Sequence, residues 1–522
     1  MKKLSFLGGA SILALSVIFA KVLGAIYRIP LTNILGAEGI GIYQFVYPVF
    51  ALILTLSSGA VPSAISITVS KKASIGDEQG AKQDFAVALK VCLIIGLSGT
   101  LLLAALAYPI CLVQSTDAFI GYLIVAPAVF IVTMISAFRG WFMGHKDMIP
   151  SSISQITEGI VKLGVGITLT IVLLPLGLPF AVAGALLGVV ASELVTLIIL
   201  WGIYMKQNKR LPRAKLKENK VQVKKLSRLA IPLILVGMIL PLSQFIDSIL
   251  LVNLMKWGGA SQTSATQSYG IYAGTVAPLI NLPVMICISI GVAITPQMVE
   301  GKLKKSIKFI MDKVTTATKM IFVICVPFVL IFAFMGENIL GLLFPALGVQ
   351  AIYLGSVILK IASINILALS IFQIYSAILQ GLDKTYVPLK IMGVCVLIKT
   401  ILSIALVPTI GIIGGAIGSA VGFSIAAISI MTYFSKYVKL CDGFAKNTSI
   451  IAISGVIMSL IIVLSTLVAT NVYLIIATII GSGLVYGFLL LVLNVFKREE
   501  LASLPMSKWI LKLNDKLHNS TE

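Results

Sequence analysis

Charge is scarce in this chain. Of its 522 residues, 58% are hydrophobic and only 11% are Asp, Glu, Lys or Arg, with a mean hydropathy of +1.07. A soluble globule is excluded, because so little polar surface cannot cover so much apolar material. Histidine is nearly absent, with His145 and His518 alone. The six cysteines, Cys92, Cys111, Cys287, Cys325, Cys395 and Cys441, stand singly and mostly in apolar runs. They lack the paired spacings of a metal site or a disulfide framework and read as small core residues. Acid is short as well, 19 Asp and Glu against 40 Lys and Arg, for a formal net charge of +21. Such an excess would suit nucleic acid if it lay in one solvated domain, but the Lys and Arg fall between hydrophobic runs. Nucleic acid is therefore set aside as a partner, and the basic residues are read as topology signals.

What the chain has in quantity is long apolar runs. Spans are expected near 5 to 29, 40 to 70, 85 to 108, 118 to 141, 152 to 174 and 180 to 204. Further spans follow near 229 to 255, 270 to 297, 315 to 335, 351 to 380, 386 to 407, 412 to 436, 448 to 469 and 472 to 496. By the criterion of ~20 apolar residues per crossing, this is an all-α polytopic membrane protein of about 14 transmembrane helices. The basic loops alternate as the positive-inside rule requires. One side holds Lys2 and Lys3, Lys71, Lys72 and Lys82, His145 and Lys146, the run from Lys206 to Arg228, Lys302 to Lys313, Lys384, Lys436 to Lys446, and Lys497 onward; the other side has only Lys256. Both termini are expected in the cytoplasm. The first span is too long for a signal peptide and lacks a small-residue cleavage site, so it reads as a retained helix.

The stretch Phe138 to Lys162, FRGWFMGHKDMIPSSISQITEGIVK, has a weaker copy beginning at Gln380, QGLDKTYVPLKIMGVCVLIK. Gly144, Pro150 and Lys162 correspond to Gly381, Pro388 and Lys399, and the following spans open with Gly184-Ala185 and Gly415-Ala416. Six spans separate the copies, so both halves have the same orientation. A parallel repeat of this kind is typical of transporters that rock two lobes around a central site. The expected organisation is an N-lobe at 1–205, a basic cytoplasmic linker at 206–228, a C-lobe at 229–440, a two-helix hairpin at 441–497 and an amphipathic cytoplasmic tail at 498–522. The lobes are pseudo-symmetric six-helix units. The hairpin carries no charge from Asn447 to Phe496 and suits lipid contact, and the tail from Leu501 to Leu517 suits the membrane surface.

Charges inside spans are informative because each costs several kcal/mol unless paired or hydrated. Counting ~1.5 Å per residue places Lys162, Glu193, Lys360 and Lys399 near the middle. Lys21, Arg28 and Asp247 fall toward the external end, and Arg139 toward the cytoplasmic end. Lys162 has Glu158 within i,i+4 reach and Glu193 on a neighbouring helix, so mutual neutralisation is one reading. Arg28 and Arg139 can snorkel to an interface or meet substrate. Lys360 and Lys399 find no acid at matching depth within their own three helices, which points to a hydrated cavity. Asp247 is the candidate for a coupling cation. SSGAVPSA at 57 to 64 and APLINLPV at 277 to 284 put Gly59, Pro62, Pro278 and Pro283 inside apolar spans. The freed backbone groups must face protein or water, so these positions are candidate hinges.

FAKVLGAIYRIPLTNILGAEGIGIYQ (19 to 44), LSSGAVPSAIS (56 to 66), FRGWFMGHKDMIPSSISQITE (138 to 158) and YGIYAGTVAPLINLP (269 to 283) together resemble the stage V sporulation protein B and polysaccharide biosynthesis branch of the MOP exporter superfamily. That branch is related to the MurJ lipid II flippases. The resemblance covers essentially the whole chain. It implies two six-helix lobes plus a hairpin in a bacterial cytoplasmic membrane. It also implies a flippase that carries an undecaprenyl-pyrophosphate-linked saccharide to the outer leaflet, for peptidoglycan, other polysaccharide or sporulation-related envelope material. MurJ-type proteins place essential cations on the first helix, the region of Lys21 and Arg28 here; their second-helix basic residue has no counterpart in ALILTLSSGAVP. The expected substrate set is Lys21, Arg28, Lys360 and Lys399, with Lys162 and Arg139 in support; Asp247, Glu158 and Glu193 bind ions or pair charges. No catalytic residue, metal or cofactor is expected. The membrane potential is expected to favour outward movement of the anion, and coupling to Na⁺ or H⁺ is left open. Membrane lipids and cell-envelope biosynthesis enzymes are the other expected partners. Two rival classes are a cation-coupled multidrug exporter of the same superfamily, which would favour twelve helices and an acidic site, and a polytopic glycan polymerase, which would need catalytic groups outside.

Overall fold

A computed structural model describes residues 6–208, 237–436, 443–466 and 471–496, with 231, 234, 235 and 511 as single positions. Lys2, Lys3, most of the basic linker and, apart from residue 511, the tail at 501–517 lie outside the described residues. Among those described there is helix and no strand. Among the described residues thirteen helices are long and apolar enough to cross a membrane, and one of them is a run of 59 residues. That run begins in the helix α1 (Phe6–Ser58), whose backbone leaves helical geometry at Gly36, with φ 65° and ψ −175°. Positive φ at this position suits glycine, which has no Cβ to clash. The chain reverses there. Arg28 and Gln44 stand eight residues on either side of Gly36 and are hydrogen-bonded to each other, whereas sixteen residues of straight helix would separate them by about 24 Å. Counting the limbs 6–35 and 37–58 separately gives fourteen crossings, the number expected from hydropathy.

The second limb is interrupted again at Gly59 and Ala60, after which α2 (Val61–Ala73) starts with Pro62 in its first turn. Proline is tolerated there because the first N–H groups of a helix have no intrahelical acceptor. Next come α3 (Glu78–Gln114), α4 (Phe119–Gly144), α5 (Ile149–Leu173), α6 (Leu178–Asn208) and α7 (Ile239–Trp257). Asp77 caps α3 by accepting from the Gly80 amide at 2.8 Å. The described chain forms two compact units. One comprises Met1–Leu282, Ala346–Ala351 and Met392–Gly418; the other comprises Pro283–Pro345, Ile352–Ile391 and Ser419–Glu522.

In the first unit, Phe85 of α3, Phe138 and Trp141 of α4 and Tyr204 of α6 pack with ring centroids 4.9 to 5.7 Å apart. Ile65 and Val69 of α2 join the same buried cluster. Two of the quoted motifs, at 56 to 66 and 138 to 158, thereby form one core. The other two also meet. The second limb of α1 crosses a helix at Gln262–Tyr269 that continues as a π-helix at Gly270–Val276. A Cβ on Gly270 would lie 2.1 Å from the Ala37 carbonyl oxygen, and one on Gly41 2.3 Å from that of Thr266. Only glycine permits so close a backbone crossing.

In the second unit, buried Cys287 and Cys325 touch at 3.5 Å and Thr318 bonds Tyr375 at 3.0 Å. Lys319 donates to the Val495 carbonyl just past the last helix, Val472–Val492, at 3.0 Å. The last two helices carry exposed Ile453, Val456, Leu460, Leu464, Ile480, Leu484 and Phe488, an uncharged face suited to lipid. The expected span 351 to 380 is divided at Ser363 into Val349–Ala362 and Ile364–Gly381.

Gly270→Ala tests the backbone crossing. It is expected to lower stability by about 1–3 kcal/mol through overpacking, seen as a reduced unfolding midpoint of the detergent-solubilised protein. Gly481→Ala, where a Cβ meets nothing within 4 Å, is expected to leave the midpoint unchanged or raise it. Equal behaviour of the two variants would remove the crossing from the account.

Candidate functional site

The reversal at Gly36 brings the aromatic residues of the two limbs together. Tyr43 and Tyr47 are four residues apart, share one helix face and stack with ring centroids 5.8 Å apart. The Arg28 guanidinium lies 4.9 Å from the centre of the Tyr43 ring. From α5 the Lys162 ammonium lies 5.5 Å from the Tyr27 ring and 5.7 Å from the Tyr47 ring. Two cations thus sit over adjacent rings. Each such contact contributes on the order of 0.5–2 kcal/mol, more where water is excluded.

The two cations are held differently. Arg28 donates through Nε to the Gly274 carbonyl at 3.0 Å and through Nη2 to Gln44, which itself donates to the Ala273 carbonyl at 2.7 Å. Both carbonyls belong to the π-helix, an irregular turn of a kind often found at functional sites. Tyr269, one residue before it, donates to the Gln44 carbonyl at 3.3 Å. Lys162 by contrast makes no hydrogen bond to a described residue and keeps its three N–H donors. Glu158, expected within its reach, instead pairs with Arg139 at 3.0 Å, while Ser154 accepts from Arg139 Nε at 3.0 Å. Arg139 is therefore held by α5 rather than by an interface. Glu193 is buried on α6 and feels the charges of Glu158, Arg139 and Lys162 without hydrogen-bonding any of them.

Lys399 and Asp247 form a second arrangement in the same unit. Lys399 Nζ donates to Asp247 at 2.5 Å and to Ser243 at 3.0 Å, and both charged residues are buried. An acid does stand at the depth of Lys399, Asp247 on α7. The depth assigned to Asp247 from the inner end of its span is corrected accordingly. Asp247 lies ten residues before Trp257 and Lys399 eleven before Ile410 in the helix Tyr386–Ile410, so counting from the C-terminal ends puts the two level. The two lysines of the similar motifs reach α1 and α7 respectively, Lys162 over Tyr27 and Lys399 to Asp247. One lysine rests on aromatic faces and the other is neutralised by a carboxylate.

The remaining candidates lie apart from these groups. Lys21 is half-buried on α1, with no hydrogen bond or ion pair to a described residue. Lys360 is exposed on its helix in the second unit. Gly59 and Pro62 flank the break between α1 and α2. Pro278 opens the helix Ala277–Leu303 directly after the π-helix, and Pro283 is the first residue of the second unit. Tyr27, Tyr43, Gln44, Tyr47 and Ser243 were missed from the sequence, although the i,i+4 tyrosines beside the glycine-rich ILGAEGIGIY turn were a usable signal.

With this geometry in view, residues 6–302 match the family described as polysaccharide biosynthesis protein. The chain belongs to that family. It is similar to stage V sporulation protein B of Bacillus subtilis (strain 168), 27% identical over 521 residues, 97% of this chain and 99% of that protein. It is also similar to lipid II flippase MurJ of the same organism, 24% identical over 480 residues, 87% of each chain. A solved structure of lipid II flippase MurJ in an inward closed conformation matches with a TM-score of 0.70 at 16% identity, over 91% of this chain and 97% of that one. This member of the polysaccharide biosynthesis family is therefore a multi-pass membrane protein with a transporter fold. All four motifs quoted above lie within 6–302, so the aromatic-cation cluster sits in the matched segment.

Two substitutions separate the roles of the cations. Arg28→Lys keeps the charge but loses the planar fork; it is expected to cost about 1.5–3 kcal/mol, the size of a charged hydrogen bond, in a thermal or denaturant unfolding measurement. Lys162→Met is expected to change stability by less than about 1 kcal/mol, because the two lost ring contacts are offset by removal of a half-buried charge and no hydrogen bond is lost. A large loss in Lys162→Met would show that its ammonium holds the fold together.

Proposed function

We propose that this protein is a flippase for an undecaprenyl-pyrophosphate-linked saccharide, a lipid II-like peptidoglycan precursor or a related cell-envelope glycan. The observation that carries the reading is the Lys162 ammonium, which rests on Tyr27 and Tyr47 with its donors unspent beside the Arg28 guanidinium. An anion with several acceptor oxygens is the complement of such a pair. Attraction between opposite charges at ~4 Å is about four times stronger at an effective dielectric of 20 than in water. The likeness to a lipid II flippase and a sporulation protein supports the same substrate class. Only the pyrophosphate and sugar need a polar path, since the prenyl chain stays in the bilayer.

In this reading the substrate phosphates take the free donors of Lys162 and of the Arg28 guanidinium, while Arg139, already satisfied by Glu158, shapes the α4–α5 turn. Rocking of two six-helix lobes, with the breaks at Gly59 and Pro62 and at Pro278 and Pro283 as hinges, exposes the site to alternate leaflets. In this reading both termini are in the cytoplasm, which the distribution of basic residues among the loops supports. The cytoplasm is electrically negative, so outward movement of an anion is favoured by about 2.3 kcal/mol per net charge per 100 mV.

The test is flipping of a fluorescent undecaprenyl-pyrophosphate saccharide in vesicles containing the purified protein. Lys162→Met is expected to reduce the rate at least about tenfold, equivalent to ~1.4 kcal/mol, and an imposed potential of the cellular sign is expected to raise the wild-type rate. Unchanged flipping by folded Lys162→Met would refute this site, and equal rates with the potential present and collapsed would refute the electrical drive.

A further inference from the structure

Asp247 is the carboxylate a coupling cation would be expected to use, and in the structure the chain's own ammonium occupies it. Lys399 Nζ bonds both Asp247 Oδ2 and Ser243 Oγ, and the pair is buried. The arrangement is tightly framed. The carbonyl of Lys399 accepts from Ser403 at 2.9 Å. A Cβ on Gly258 would lie 2.3 Å from the Pro408 carbonyl oxygen, so the C-terminal end of α7 is packed against the helix that carries Lys399. Leu251, one turn beyond Asp247, lies against Gly415.

We infer that Lys399 is a tethered counter-ion that fills a monovalent-cation site formed by Asp247 and Ser243, so that transport by this protein needs no free Na⁺ or K⁺ at that site. A carboxylate and a hydroxyl oxygen are hard donors suited to Na⁺ or K⁺, and an ammonium is a compact point charge that satisfies the same oxygens through N–H donors. Because the charge is covalently attached, it does not enter or leave during a cycle. A free ion at this carboxylate therefore contributes no driving force. The tethered charge bears on the energy source, whatever anion is carried.

The experiment is the unfolding midpoint of the purified full-length protein titrated with NaCl or KCl, with N-methylglucamine chloride holding ionic strength constant. A ligand that binds only the folded state raises the midpoint in a saturable way. The wild type and Lys399→Arg, which retains a fixed cation, are expected to show no specific shift. Lys399→Ala vacates the site and is expected to gain a saturable upward shift with Na⁺ or K⁺, which Lys399→Ala/Asp247→Asn abolishes. A saturable Na⁺ or K⁺ shift in the wild type that Asp247→Asn removes would overturn the inference. So would a folded Lys399→Ala that does not respond to either ion. Should Lys399→Ala fail to fold, Lys399→Ser decides on the same two outcomes.

Discussion

A charge in a low-dielectric interior has to be compensated by something fixed, and this constraint organises the first unit. Its deep cations are compensated in three ways. Arg139 and Lys399 each hold a carboxylate, Glu158 and Asp247 respectively. Arg28 holds a carbonyl, a side-chain amide and a ring face. Lys162 rests on ring faces. The order is one of decreasing satisfaction by the protein, and the last member has the most to offer a ligand. A cation fully paired inside the fold contributes to structure; one that rests on ring faces, with the Glu158 and Glu193 carboxylates near it but not hydrogen-bonded to it, keeps its N–H donors for an anion.

The local backbone follows from the same requirement. Arg28 needs acceptors, and the π-helix at Gly270–Val276 presents the Ala273 and Gly274 carbonyls to Gln44 and Arg28. The π-helix reaches them because Gly41 and Gly270 let the two backbones cross closely. The crossing in turn depends on the reversal at Gly36, which carries Tyr43, Gln44 and Tyr47 back alongside Tyr27 and Arg28. Gly36, Gly41 and Gly270, drawn from the motifs at 19 to 44 and 269 to 283, are thus requirements of one cation site, not separate turn signals.

The fold was legible in the sequence to the extent that hydropathy and loop charge carry it. Apolar run length gave the crossings, including the separation of 5 to 29 from 40 to 70 that a continuous helix assignment merges, and the glycine-rich segment between them is the observed reversal. The buried charges were also legible as unusual residues, since an ion within an apolar run stands out without any structure. Their partners were not. Glu158 lies four residues from Lys162 and was within helical reach, yet it bonds Arg139, nineteen residues earlier, because α4 packs beside α5. Asp247 and Lys399 are 152 residues apart, and depth counted from the uncertain inner end of a span hid that they are level. The tyrosines were invisible as site residues because aromatic side chains in a membrane span resemble core until a cation is found above them.

The central claim is that the tyrosine-held cations form an anion site for a lipid pyrophosphate. Equilibrium binding of undecaprenyl pyrophosphate to the purified protein, with undecaprenol as the uncharged control, tests it most directly. The account predicts saturable binding of the pyrophosphate, weak binding of the alcohol, and loss of that difference in the folded Lys162→Met variant. Equal affinity for the two lipids in the wild type, or an undiminished preference in Lys162→Met, would contradict it.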